Sequence, residues 1–96
     1  MKILALEKEV PAVSAKQFQL YLQAEARRVW ELYKAGIIRE MYFRKEKTEA
    51  VLVLECASTA EAREVLSTLP LVRESLIDFD LIPLVPYPGL ERLFSG

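Results

Sequence analysis

The chain predicts an α+β fold, a four-stranded antiparallel sheet with both helices on one face. Three observations carry this. Two segments, Ser14–Ala35 and Ser58–Leu69, repeat apolar residues at helical spacing. Each opens on a serine with Gln17 or Glu61 three residues on, the pattern of a capping box. Short runs rich in Ile, Val, Leu and Phe flank and separate them, so the order reads β-α-β-β-α-β.

Lys2–Leu6 is an apolar run and reads as the first strand, with Glu7–Val13 as a connector broken at Pro11. In the first helix Phe18, Leu22, Ala26, Val29 and Tyr33 form a stripe that Tyr21 and Leu32 widen. Lys16, Arg27, Arg28, Glu31 and Lys34 take the other side, and Gly36 is the expected C-cap. Ile37–Arg44 and Glu49–Cys56 read as a hairpin around the polar turn Lys45–Thr48. Ala62, Val65, Leu66 and Leu69 give the second helix its buried stripe, and Pro70 stops it. Leu71–Ser75 is a turn or a single helical turn, and Leu76–Leu84 is the fourth strand. No linker divides the chain, so residues 1–96 form one domain with a Pro-rich tail at 83–96. In that tail Leu90, Leu93 and Phe94 fit one face of a short helical turn, which caps its own subunit or reaches a partner as an arm.

Strand alternation sorts the side chains into two faces. Met41, Phe43, Leu52, Leu54, Cys56, Ile77, Phe79 and Leu81 are expected toward the helices. Glu40, Tyr42, Arg44, Val51, Val53, Glu55, Asp78, Asp80 and Ile82 then fall on the far face. That face is part apolar and part charged, and a second copy packed sheet to sheet would cover it. The alternative is an open, partly solvated sheet in a monomer.

Composition narrows the function classes. Of 96 residues, 52% are hydrophobic, enough for a core with apolar surface left for a partner. The net charge of −1 gives no electrostatic case for nucleic acid. No apolar run is long enough to span a bilayer, and Glu7 and Glu9 interrupt any signal-like start, so a soluble cytoplasmic protein is expected. The absence of histidine removes the usual nucleophile pairs and the commonest transition-metal ligand. Cys56 has no partner for an internal disulfide and reads as a small core residue.

Gly36 after the long helix, Arg39 and Tyr42 on the second strand, the Leu69-Pro70-Leu71 break, and the alternate acids Asp78 and Asp80 together resemble the muconolactone-isomerase-like family. The resemblance implies a ferredoxin-like fold assembled as a dimeric α+β barrel, a homodimer or a larger ring of dimers, with a pocket for a small molecule. It also implies cofactor-free proton transfer on a small unsaturated lactone or keto acid. Such a reaction needs a general base and acid in a dry pocket and donors for the enolate oxygen. Asp78 and Asp80 are the candidate bases, with Glu40 and Glu55 behind them. Arg39 and Arg44 are candidates to bind a substrate carboxylate, and Tyr42 to donate to an oxyanion. The family tends to carry histidine or tryptophan on the second strand, where this chain has Glu40 and Tyr42.

Each candidate also has a structural role open to it. Asp78 and Asp80 are expected to pair with Arg44 or Arg39 in a cross-strand network if they are not catalytic. Tyr42 serves equally as a half-buried strand aromatic, and Trp30 and Tyr33 as packing residues. A non-catalytic ligand-binding or assembly module is therefore the alternative to an isomerase. Cofactor-independent oxygenation is a third reading, which the lack of histidine and the single tryptophan do not favour.

Overall fold

A computed structural model describes residues 1–11 and 14–94. The strands are β1 (Lys2–Glu9), β2 (Ile38–Phe43), β3 (Ala50–Glu55) and β4 (Ile77–Leu84). The helices are α1 (Ala15–Gln19), α2 (Leu22–Lys34), α3 (Thr59–Leu66) and α4 (Pro70–Arg73), followed by a 3-10 helix at Pro88–Leu93. The sheet order is β2-β3-β1-β4, every neighbour antiparallel, which is the ferredoxin-like arrangement.

β1 runs three residues further than its apolar run suggests. Beyond Leu6↔Val51 it loses β3 but keeps β4, where Glu7, Lys8 and Glu9 pair with Phe79, Asp78 and Ile77. The expected connector thus begins later, and its Ala12 and Val13 lie outside the described residues.

The first helix is two helices. Tyr21 N–H bonds the Phe18 carbonyl at 3.0 Å, a three-residue turn that brings Phe18 and Tyr21 to one side. Both pack against the core, while Leu20 between them is left in solvent. Gln17 Oε1 accepts the Ser14 backbone N–H at 2.9 Å, and Ser58 Oγ accepts the Glu61 N–H at 3.1 Å, so both expected helix starts are capped. Gly36 ends α2 at φ +79°, with Ile37 N–H returning to the Leu32 carbonyl at 3.0 Å. Ser75 ends α4 in the same left-handed region, φ 60°, with Leu76 N–H returning to Leu71.

The two sheet faces fall as strand alternation expects. Ile3, Ala5, Ile38, Leu52, Leu54, Ile77 and Phe79 are buried beneath the helices with Leu32, Ala62, Leu66, Leu69 and Leu71. The register Leu4↔Val53, Leu4↔Ile82, Leu6↔Val51 and Leu6↔Asp80 sets those residues together on the opposite face, with Glu40 and Tyr42 opposite Val53 and Val51. Only Leu32 of α2 is buried, so the first turns of that helix stand off the sheet. That gap positions the site.

The last segment leaves the body of the domain. Val85, Tyr87, Leu90, Leu93 and Phe94 are 62–86% exposed, so this chain does not cover its own tail. Ser95 and Gly96 lie outside the described residues.

Candidate active site

The gap under α2 is a cleft of about 460 Å³, the size of a small-molecule site. Its roof is Leu22, Glu25, Ala26 and Val29 of α2 with Leu69 and Leu71, and its floor is the helix-facing row of the sheet. Met41 and Phe43 line it on the β2 side and are 41% and 69% exposed, so the cleft opens along that edge. This cleft lies between the sheet and the helices of one chain.

Two carboxylates enter this apolar space. Glu7 comes from β1 in the row of Ile3 and Ala5, and its Oε1 accepts the Ala50 N–H at 2.9 Å. Glu25 comes from α2, and its Oε1 accepts the Leu71 N–H at 2.9 Å. Each bond uses one oxygen and leaves the other for a ligand. Burial raises the pKa of both carboxyls above the ordinary range, against the pull of those backbone bonds. Glu49 and Glu9 push Glu7 further up, and Glu7 pushes Glu25 up. Arg73 acts weakly on Glu25 in the other direction. Two half-buried acids that resist ionising together are the arrangement in which one proton can be held and another taken.

The sequence-predicted residues other than Tyr42 lie outside this cleft. Asp80 Oδ1 takes Lys8 Nζ at 3.0 Å, and Asp78 is bracketed by Lys8 at 3.7 Å and Arg63 Nη1 at 3.3 Å. The expected partners Arg39 and Arg44 are not involved, because Lys8 lies directly across from Asp78 on β1 and Arg63 reaches over the β4 edge from α3. Lys8 in turn has its pKa raised by Asp80. Glu40 accepts the Tyr42 hydroxyl at 2.7 Å, which raises the phenol pKa. Tyr42 borders the cleft, but its hydroxyl is committed to Glu40 on the other face. Arg39 Nε donates to the Gly36 carbonyl, Arg44 pairs with the buried Glu49 at 3.4 Å, and Glu55 takes the N-terminal amine at 3.1 Å. Of these seven residues, Tyr42 alone lines the cleft.

Sequence reasoning missed Glu7 and Glu25, though a signal existed for each. Glu25 stands four residues before Val29 and seven before Leu32, inside the apolar stripe. Glu7 continues the alternation of Ile3 and Ala5 once the strand is extended. Cys56 is buried with its thiol pKa raised by burial, in keeping with a core role. Among the described residues no helix is long and apolar enough to cross a membrane, and no group of acids or cysteine is arranged to hold a metal.

Comparison with known proteins agrees with this architecture. The sequence model of the family described as muconolactone delta-isomerase matches residues 4–89. A crystal structure of muconolactone isomerase superposes with a TM-score of 0.72 at 20% identity, covering 93% of each chain. The 5-chloro-2-hydroxyhydroquinone dehydrochlorinase of Burkholderia phenoliruptrix, solved with 2,5-dihydroxybenzoquinone, gives 0.65 at 16% identity, covering 93% of this chain and 98% of that one. No curated protein matches the chain.

Proposed function

The chain belongs to the muconolactone delta-isomerase family, and from that premise we propose that it moves a proton between two carbons of a small unsaturated carbonyl compound, without a cofactor, in the cleft under α2. The observation that carries this reading is the pair of half-buried carboxyls, Glu7 and Glu25, raised in pKa within one apolar cavity.

Their surroundings divide the roles. Glu25 is assigned the base, Arg73 being the one cation that acts on either carboxyl. Glu7, which Glu49 and Glu9 raise in addition to burial, is assigned the acid that donates to the carbonyl oxygen. Glu25 takes the proton from the carbon next to the carbonyl. The double bonds shift through a dienolate held by Glu7, and Glu25 returns a proton, free to exchange with solvent, two carbons further along. The reaction is an isomerisation, so no co-reactant is consumed. Leu22, Val29, Leu52 and Phe79 give the cleft an apolar lining, which strengthens both hydrogen bonds to the substrate. A fold neighbour named for its action on a hydroquinone, and solved with a benzoquinone, supports a small ring compound as the substrate class.

Assembly belongs to the same reading. Leu4, Leu6, Val51, Val53 and Ile82 form an apolar area on the outer sheet face. A second copy packed on that face gives a homodimer, and larger oligomers build from it.

The test is direct. Purified protein and its Glu25→Gln variant are given a panel of small unsaturated lactones, and the conjugation change is followed by ultraviolet absorbance. Turnover of a panel member by the wild type and its loss in the variant are expected. Binding without turnover across the panel would instead favour a ligand-binding module.

A further inference from the structure

We infer that Glu49, a buried carboxylate clamped by Arg44 and Lys47, is a positioning residue that seats Glu7 in the cleft and holds a negative charge behind it. This rests on the reading of Glu7 as the acid and names the residue that sets it.

Glu49 is out of place beside a polar turn. Lys45–Thr48 are exposed, yet Glu49 is 6% exposed, the one charged residue buried among those described. A carboxylate withdrawn from water needs cations and donors to hold it. Arg44 Nη1 and Lys47 Nζ both stand 3.4 Å from its Oε1. Its main chain closes the turn as well. Arg44 N–H donates to the Glu49 carbonyl at 2.9 Å, and Glu49 N–H donates to the Lys47 carbonyl at 2.8 Å. The start of β3 is thus pinned through both side chain and backbone. Pairing of β1 with β3 ends at Leu6↔Val51, and the preceding N–H of β3, that of Ala50, goes to Glu7 Oε1 at 2.9 Å. The turn therefore fixes the donor that orients Glu7.

Glu7 is also a wall between two hollows. With Ile77 it lines the cleft under α2 and a second hollow of about 500 Å³, where Glu9, Glu49 and Lys47 lie. Glu49 acts on Glu7 in two ways. The Ala50 N–H that it seats favours the charged carboxylate, and its own charge opposes it. Burial is the largest influence on Glu7 and raises its pKa, the Ala50 bond lowers it, and Glu49 and then Glu9 raise it again. Glu25 is the other acid lining the cleft, from α2. Arg44 and Lys47 are the cations on the turn side, and both are held on Glu49. A general acid needs a fixed direction and a retained proton; the bond supplies the first and the charge the second.

The experiment follows the Glu7 side-chain carboxyl by carbon-13 NMR across pH in the wild type and in Glu49→Gln. Glutamine keeps an oxygen for Arg44 and drops the charge. Glu7 is expected to titrate at lower pH in the variant, its acid dissociation constant about threefold larger or more. An unchanged Glu7 titration overturns the inference. The double variant Arg44→Gln with Lys47→Gln tests the clamp without touching Glu49, since both side chains are half-exposed. Exchange of the Ala50 amide is expected to become about tenfold faster or more, while amides between β1 and β4 keep their protection. Unchanged protection of Ala50 overturns the clamp. The activity arm records kcat/KM against pH with 5-methylfuran-2(3H)-one and its 5-carboxymethyl analogue. The alkaline limb, where Glu7 loses its proton, is expected to move to lower pH in Glu49→Gln. A moved titration with an unmoved limb sustains the link between the two glutamates and overturns Glu7 as the acid. No turnover of either lactone overturns the reading of the cleft, and the carboxyl titration then decides the link alone.

Discussion

The backbone N–H of Leu71 donates to Glu25 Oε1 at 2.9 Å and so ties the Leu-Pro-Leu break to a carboxyl that lines the cleft. Pro70 has no N–H and opens α4 at its first position, leaving Leu71 to supply the donor. The break is therefore more than a helix stop. It fixes one carboxylate oxygen of a residue that lines the cavity.

Replacement of Glu25 separates proton transfer from folding. Glu25→Gln keeps an oxygen for Leu71 and is expected to fold normally while losing about 10²-fold or more in turnover. Glu25→Ala also strips the acceptor from a part-buried N–H and should cost about 1–3 kcal/mol of stability. Urea unfolding beside a turnover assay checks both. Equal stability losses in the two variants would mean the hydrogen bond is not what matters.

The raised carboxyls make stability fall as pH rises. Unfolded, Glu7 and Glu25 titrate near the ordinary value, about 4.3. Below it both are protonated in either state, and their contribution is complete. Between that value and their raised values the folded protein binds more protons, so stability drops with pH. Above the raised values the loss is finished. Glu49 and Glu9 steepen this for Glu7, while Arg73 moderates it for Glu25. Denaturation from about pH 4 to about pH 8 should show Glu25→Gln gaining on the wild type across that window. A constant offset between the two proteins would contradict the shift.

Two left-handed residues give opposite substitutions opposite signs. Gly36 sits at φ +79°, and an added Cβ would meet only Arg39 atoms at 3.8–3.9 Å, an ordinary contact. Gly36→Ala should therefore cost only the backbone term, about 1 kcal/mol. Ser75 holds a similar conformation with a side chain, so Ser75→Gly should stabilise by about 0.5–1 kcal/mol. Thermal unfolding of the pair checks the signs.

The outer sheet face is tested by a charge. Val53 lies between Leu4 and Glu40 in the register, at the centre of the apolar area. Val53→Lys is expected to reduce the mass seen by light scattering to that of one chain, with the far-ultraviolet dichroism unchanged. A wild-type protein already running as one chain would remove sheet-to-sheet assembly from the account.

Fold and site differ in how far the residues disclose them. Element order, capping and the two sheet faces follow from local rules, which is why Met41 and Phe43 fall on the helix side as alternation requires. The site depends on how far α2 stands off the sheet, a tertiary quantity. Met41 and Phe43 read as core, yet they line an opening because only Leu32 of that helix reaches full burial. The alternate aspartates drew attention as an acidic pair, but ion partners depend on cross-strand register, which placed Lys8 beside them. Glu25 was hidden as a polar residue within a helical stripe, the kind of local inconsistency that marks a site.

The central claim is that Glu25 carries the proton. The most direct measurement is deuterium incorporation into 5-methylfuran-2(3H)-one in heavy water, followed by NMR for the wild type, Glu25→Gln, and the double variant Asp78→Asn with Asp80→Asn. Label entering C5 with the wild type and the double variant, and not with Glu25→Gln, is the result expected. Label persisting with Glu25→Gln and vanishing with the double variant would contradict the account and return the chemistry to the outer sheet face.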